Sequence, residues 1–231
     1  MRIAGIQKLT LLDYPGTVAC TLFTVGCNFR CPFCQNASLV LPGPREELIP
    51  TEEVLRFLQG RFGILDGVAI TGGEPMLQAD IVDFLSEIKK IGYRVKLDTN
   101  GADPDGLQLL IERGLIDRVA VDIKSSRENY ASAIGLTDAP VDRIDRTREL
   151  LMTGTLPFEF RTTVVQGIHT DEEIRRLAEW IAGDEEYYLQ QYRDSGEIMN
   201  PTGLSSPSEV KMQHFADIVR PFVPRVQIRG I

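Results

Sequence analysis

Three of the four cysteines, Cys27, Cys31 and Cys34, fall together in the segment GCNFRCPFCQN. Thiolates are soft ligands suited to zinc and to iron–sulfur clusters. Structural zinc wants four protein ligands, usually as two separated pairs. No second cysteine pair exists here, and His169 and His214 stand alone in the sequence. Three thiolates suit a 4Fe–4S cluster whose fourth iron is left for another ligand, with a zinc knuckle as the alternative. Cys20, in the strand-like TVACTLFTVG, reads as a buried apolar cysteine. Downstream lies TGGEP (71–75), where Gly72 and Gly73 let backbone approach a ligand closely and Glu74 offers a carboxylate to an amino group. Alone, that segment could be an ordinary turn between strand and helix.

Positioning these residues requires a regular scaffold, and the pattern after residue 16 is alternation. Strands are expected at 17–25, 67–71, 93–99, 117–124, 158–165 and 187–192, with a seventh candidate in RVQIRG (225–230). Between them, helices are expected near 51–62 with Thr51 as N-cap, 79–92 with Gly92 as its stop, 104–113, 141–153, 171–183 and 208–219. Alternation of this kind predicts parallel strands with helical crossovers. A full eight-unit barrel takes about 250 residues. The expectation is therefore an α/β fold, a partial (β/α)6 TIM-like barrel formed by one domain over residues 1–231. A doubly wound sheet is the alternative. Both architectures bind ligands at the carboxyl ends of their strands. TGGEP, DTNG (98–101), DIKS (122–125), RTTVVQG (161–167) and QQYRDSG (190–196) all fall at or near such ends, and the cysteines follow the first predicted strand.

The chain has 231 residues, 43% hydrophobic and 25% charged, with a net charge of −8. This composition is ordinary for a globular protein. The acidic balance argues against nucleic acid as the main partner, since no basic excess exists to neutralise phosphates. No stretch has the apolar length of a membrane span, and the start lacks a basic-then-apolar signal pattern. A cytoplasmic protein without a membrane partner is expected.

Cys-x-x-x-Cys-x-x-Cys, with Phe33 before the third cysteine and Gly-Gly-Glu-Pro downstream, resembles the radical S-adenosylmethionine (SAM) superfamily. The segment GIQKLTLLDYPGTVACTLFTVGCNFRCPFCQN, together with DTNG and DIK, is similar to the glycyl-radical-enzyme activases. Among these are the activating proteins of anaerobic ribonucleoside-triphosphate reductase and of pyruvate formate-lyase. The resemblance implies that Cys27, Cys31 and Cys34 hold three irons of a 4Fe–4S cluster and that the fourth binds SAM. It implies that Gly72, Gly73 and Glu74 line the methionine end, with Phe33 also at the cofactor. Asp98, Thr99 and Asp122 would surround a monovalent cation beside the SAM carboxylate, which Lys124 would pair. Thr163, and Gln191 or Tyr192, would reach the ribose or adenine. The implied reaction is one-electron cleavage of SAM to methionine and a 5′-deoxyadenosyl radical. That radical would take a hydrogen atom from a backbone glycine of a partner such as anaerobic ribonucleotide reductase, with flavodoxin or ferredoxin as electron donor. Such activases usually read Cys-His-Asn after the third cysteine, whereas this chain has Gln35, which can donate a hydrogen bond but does not titrate.

Other readings stand beside this one. Asp98, Asp122 and Lys124 could be solvated strand-end charges. His169 is expected at the surface, His214 partly exposed, Trp180 in the core, and the charge runs at 45–48 and 171–176 in solvated helix starts. Gln35 leaves room for a radical SAM enzyme acting on a small molecule or peptide side chain, comparable to 7-carboxy-7-deazaguanine synthase. A non-enzymatic iron–sulfur or zinc module is the third possibility.

Overall fold

The computed structural model describes residues 1–41, 43, 47–184 and 186–231. Much of the charge run at 45–48 therefore lies outside the described residues. Strands form where apolar and β-branched residues run together: β1 (Ile3–Thr10), β2 (Ala19–Thr24), β3 (Gly67–Gly72), β4 (Arg94–Thr99), β5 (Arg118–Asp122), β6 (Phe158–Val164), β7 (Tyr187–Gln191) and β8 (Gln227–Arg229). Helices α1 (Ala37–Val40), α2 (Thr51–Gln59), α3 (Ile81–Ile91), α4 (Pro104–Glu112), α5 (Tyr130–Ala133), α6 (Val141–Thr153), α7 (Asp171–Trp180) and α8 (Glu209–Val219) lie between them. The strands are ordered β1 to β8 in chain order. This is an α/β fold with the sequential, mostly parallel topology of a partial (β/α) barrel.

The six expected strands are β2 to β7, and the seventh candidate is β8. β1 is an addition. It pairs antiparallel with β2, from Ile3 opposite Thr24 to Thr10 opposite Ala19. Its alternation is weak because Gln7, Lys8 and Leu9 are exposed, so the sequence pattern did not reveal it. One helix start is also corrected. Pro50, not Thr51, occupies the N-cap position of α2, and the Pro50 carbonyl accepts from the Glu53 and Val54 amides. The expected stop forms, Gly92 ending α3 in the left-handed conformation, and the structure adds side-chain caps at Asp103, Thr170 and Ser208 for α4, α7 and α8.

The chain divides into two compact units. The first holds Met1–Asn28, Ser38–Thr99 and Asp103–Ala120. Its parallel register runs Ala19–Gly67–Arg94 across β2, β3 and β4. Val68 and Ile70 on β3 and Val95 and Leu97 on β4 are fully buried, as are Leu85 and Ile88 on α3. The second unit holds Phe29–Ala37, Asn100–Ala102 and Val121–Ile231. There β6 pairs with β7 from Phe160 opposite Tyr187 to Val164 opposite Gln191, and β8 continues the parallel pairing. Ile174 and Leu177 of α7 and Met212 and Val219 of α8 are buried in its core. Trp180 is only half-buried: its indole donates to Asp145 at 2.8 Å and Arg127 stacks on its ring. His214 is half-exposed and paired with Asp171. Among the described residues no helix is long and apolar enough to cross a membrane.

The short edge strand β8 is held by charge as well as by backbone. Glu159 on β6 is fully buried, and the Arg229 guanidinium reaches both of its oxygens, at 3.1 and 3.3 Å. The same guanidinium lies over the Tyr188 ring. Removing one partner of a buried ion pair costs up to about 3–5 kcal/mol. Arg229→Met is therefore expected to lower unfolding stability by about 3 kcal/mol, read as a reduced urea midpoint.

Candidate active site

Each motif picked out above lies at or beyond the carboxyl end of a strand. Gly72 ends β3, Thr99 ends β4, Asp122 ends β5, Gln191 ends β7, and Thr163 is next to last in β6. The cysteines follow β2 after Thr24. They divide between the units, Cys27 in the first and Cys31 and Cys34 in the second.

In the first unit, the end of β3 is packed hard against the entry to the cysteine segment. Gly73 donates to the Thr24 carbonyl at 2.8 Å and Glu74 to the Gly26 carbonyl at 2.7 Å. A Cβ at Gly73 would collide with the Gly26 carbonyl oxygen, and one at Gly72, where φ is +112°, with the Thr24 backbone. Glycine is therefore a steric requirement at both positions. The close approach also aims Glu74. Its buried carboxylate accepts from the Thr99 hydroxyl at 2.8 Å and the Met76 amide at 3.0 Å. The Asp98 carboxylate carries the ammonium of Lys96, a fully buried lysine two residues earlier on the same face of β4.

In the second unit the cysteine segment is held through its backbone. The Arg30 amide donates to Ile134 at 2.8 Å, and Gly135, at φ +66°, lies where a Cβ would strike the Arg30 carbonyl. The Asn200 and Met199 amides donate to the Pro32 and Cys34 carbonyls at 2.9 and 3.2 Å. The Gln35 side-chain amide donates to the Arg193 carbonyl at 2.5 Å, and Arg193 in turn donates to Gly230. Phe29 and Phe33 of the same segment are buried.

Asp122 accepts from Arg161 at 2.9 Å and from Lys124 at 3.0 Å. Burial alone would raise its carboxyl, but the two cations outweigh that and hold it well below the usual carboxylate range. Burial would likewise depress the Lys124 ammonium, yet Asp122 and the charge on Cys31 keep it above the usual lysine range. Gln191 donates to the carbonyl of Pro207 at 2.8 Å, and Pro207, with His169 and Gln166, lines a cavity of about 710 Å³.

His169 corrects the expectation of a surface residue: it is 5% exposed. The Val165 amide donates to Nδ1 at 3.0 Å, so the ring proton sits on Nε2, which donates to the Lys124 carbonyl at 3.0 Å. Both nitrogens are thus satisfied, which is what allows an imidazole to be buried. Burial pushes its pKa down, keeping the ring neutral. Its edge meets Phe33, with ring centroids 6.4 Å apart. Nothing local in the sequence signals this role; the contacts come from β5, β6 and the cysteine segment.

The loop after β5 is pinned by Glu173. Thr-x-x-Glu at 170–173 has the form of a capping box, and Thr170 does cap the Glu173 amide at 3.2 Å. The Glu173 carboxylate, however, accepts from Ser125 at 2.6 Å, Ser126 at 3.0 Å and Asn129. Burial would raise this carboxyl, but these donors outweigh it and lower its pKa.

None of the four cysteines is in a disulfide, and Cys20 is fully buried with its thiol pushed up to about 12, which makes it inert. Among the described residues no group of three or more His, Cys, Asp and Glu side chains is arranged to hold a metal ion. The fit of a cluster therefore rests on the donor set, three unbridged thiols in a segment whose backbone is tied down on both sides. Residues 21–181, more than half of the chain, match the Radical SAM superfamily, and the chain belongs to it. It is accordingly an iron–sulfur enzyme of the kind that uses SAM.

Among relatives, it is 29% identical to a Methanocaldococcus jannaschii protein provisionally named a glycyl-radical enzyme activating enzyme, over 99% of this chain and 96% of that one. It is 31% identical to a GTP 3′,8-cyclase of Helicobacter pylori over 68% of this chain, which spans about half (49%) of the cyclase. Among solved structures, a domain of pyruvate-formate lyase-activating enzyme from Bacteroides vulgatus superposes with a TM-score of 0.56 at 21% identity, covering 71% of this chain and 99% of that domain. Streptococcus suis SuiB bound to its precursor peptide SuiA gives 0.70 at 14% identity over 91% of this chain and 48% of SuiB. These likenesses show a shared fold.

Two substitutions test this geometry. Gly73→Ala forces β3 away from Gly26, and the variant is expected to lose cluster incorporation, measured as iron and sulfide per chain after anaerobic reconstitution. Glu173→Gln is expected to cost about 1–3 kcal/mol near neutral pH. Because the folded-state pKa of Glu173 is lowered, its contribution is present above the unfolded value and is lost as pH falls through the folded one. The gap in urea midpoint between wild type and Glu173→Gln should thus shrink steadily below about pH 4.5.

Proposed function

We propose that this enzyme generates a glycyl radical on a larger partner enzyme, with anaerobic ribonucleotide reductase the first candidate and flavodoxin or ferredoxin the electron donor. Residues 1–231 would act as one radical SAM domain in a reducing, anaerobic cytoplasm. The observation that carries this reading is end-to-end similarity to the Methanocaldococcus jannaschii protein, with neither chain much exceeding the other. The cyclase relatives match only about half their own length, which speaks against their chemistry here.

In this reading Cys27, Cys31 and Cys34 hold the 4Fe–4S cluster. When bound, the cluster and SAM supply the one-electron cleavage chemistry used to abstract a hydrogen atom. Glu74, fixed by Thr99 and Met76, receives the amino group at the methionine end beside Gly72 and Gly73. Lys124, steadied by Asp122, offers a compact charge to the carboxylate. Phe33 covers the cofactor on its apolar side, and Thr163 and Gln191 border the nucleoside end. A dissolved monovalent cation at Asp98, Thr99 and Asp122 would compete with side-chain cations: Asp98 already carries Lys96, and Asp122 carries Arg161 and Lys124.

The test is to incubate reconstituted, reduced protein anaerobically with SAM and the purified reductase. A glycyl-radical doublet in the paramagnetic resonance spectrum, with 5′-deoxyadenosine formed in step, is the expected result, and Cys31→Ala should abolish both. Deoxyadenosine without a radical on any candidate partner would redirect the assignment to a small-molecule or peptide substrate.

A further inference from the structure

Lys96 is 1% exposed and lies within the strand span of β4, where a lysine is ordinarily least tolerated. Its Cα is in register with Ala69 on β3, which in turn faces Thr21 on β2. These two small residues leave a long side chain room to lie along the sheet toward the carboxyl end of β4. There its ammonium meets the Asp98 carboxylate, itself 9% exposed. The next residue, Thr99, hands its hydroxyl to Glu74. Desolvating an ammonium costs several kcal/mol, so a chain with only a structural need here would be served as well by Leu or Met. The geometry instead delivers one fixed positive charge to the acid nearest the Glu74–Thr99 pair.

We propose that Lys96 is a built-in monovalent cation, a positioning residue whose ammonium neutralises Asp98 so that SAM binds without dissolved K⁺ or Na⁺. A carboxylate already paired with an ammonium in a buried setting has little attraction left for a mobile ion, and what it retains does not offset that ion's dehydration. A tethered charge is present in every molecule at every salt concentration. This inference rests on the assignment of Asp98 and Glu74 to the SAM site.

The experiment measures labelled-SAM affinity of the reconstituted protein by equilibrium dialysis in potassium, sodium and tetramethylammonium chloride at one ionic strength. Wild type is expected to bind with the same dissociation constant, within two-fold, in all three. Lys96→Met should bind at least ten-fold more weakly in tetramethylammonium and recover most of that loss with K⁺ or methylammonium. In parallel, the melting temperature of the SAM-free protein should respond to K⁺ in Lys96→Met and not in wild type. A ten-fold gain for wild type on adding K⁺ or Na⁺, or unimpaired binding by Lys96→Met in tetramethylammonium, would overturn the proposal. If Lys96→Met does not fold, the double variant Lys96→Met/Asp98→Asn removes both charges. With no carboxylate left to neutralise, it should bind SAM alike in all three buffers, and a ten-fold gain on adding K⁺ to it would equally overturn the proposal. Absence of SAM binding in every buffer would instead count against the SAM-site assignment, while the melting arm still reports on Lys96 and the ion.

Discussion

Backbone hydrogen bonding of the cysteine segment is the constraint on which the rest of the site depends. Residues 26–36 contain almost no regular structure, so their amides and carbonyls need partners from elsewhere in the chain. Leu39 and Glu74 serve Gly26, Ile134 serves Arg30, and Asn200 and Met199 serve Pro32 and Cys34. Glu74 sits just beyond β3, Leu39 within the short α1 and Ile134 just after the short α5, while Met199 and Asn200 lie in the irregular stretch between β7 and α8. Glycine recurs at these junctions for a steric reason: Gly73 and Gly135 let one backbone touch another with no side chain between. A segment fixed in this way can present thiols without the enthalpy of the thiols themselves.

Electrostatics forms the next layer. Asp98, Asp122 and Glu173 are carboxylates near strand ends or loops around the motifs, and each meets its partners at short range. Lys96, Lys124 and Arg161 meet Asp98 and Asp122 as ions, whereas Glu173 is met by hydroxyls and an amide. Charge-assisted bonds of this kind are stronger than neutral ones and set orientation as well as energy. At Asp122 and Glu173, whose carboxyls are lowered, these contacts also keep the carboxylate ionised near neutral pH. The neutral His169 adds a polar link between β5 and β6 without adding charge.

Much of this was legible in the sequence. Periodicity and composition located β2 to β8 and the six longer helices, and the strand-end rule picked out Gly72, Thr99 and Asp122 as terminal residues. What escaped is what local pattern does not encode. β1 is an edge strand whose outward residues blur its alternation. His169 precedes an acidic helix start, which looks like surface, and only its contacts with Val165, Lys124 and Phe33 explain its burial. Lys96 and Gly135 were not singled out from the sequence; Lys96 acquires meaning from its burial beside Asp98, and Gly135 from Arg30, a neighbour distant in sequence. The cysteine motif was readable because its chemistry resides in spacing alone.

Gln35 has a consequence beyond its contact. Its amide closes the end of the cysteine segment onto the Arg193 carbonyl, and neither group gains or loses a proton in the ordinary range. An imidazole in the same place would make the clasp a proton-linked equilibrium, opening or tightening as the ring changed charge. With glutamine the closure carries no such linkage, so the end of the cysteine segment at this point is insensitive to acidification. Proton sensitivity in this chain would then have to originate away from this clasp, as at Glu173.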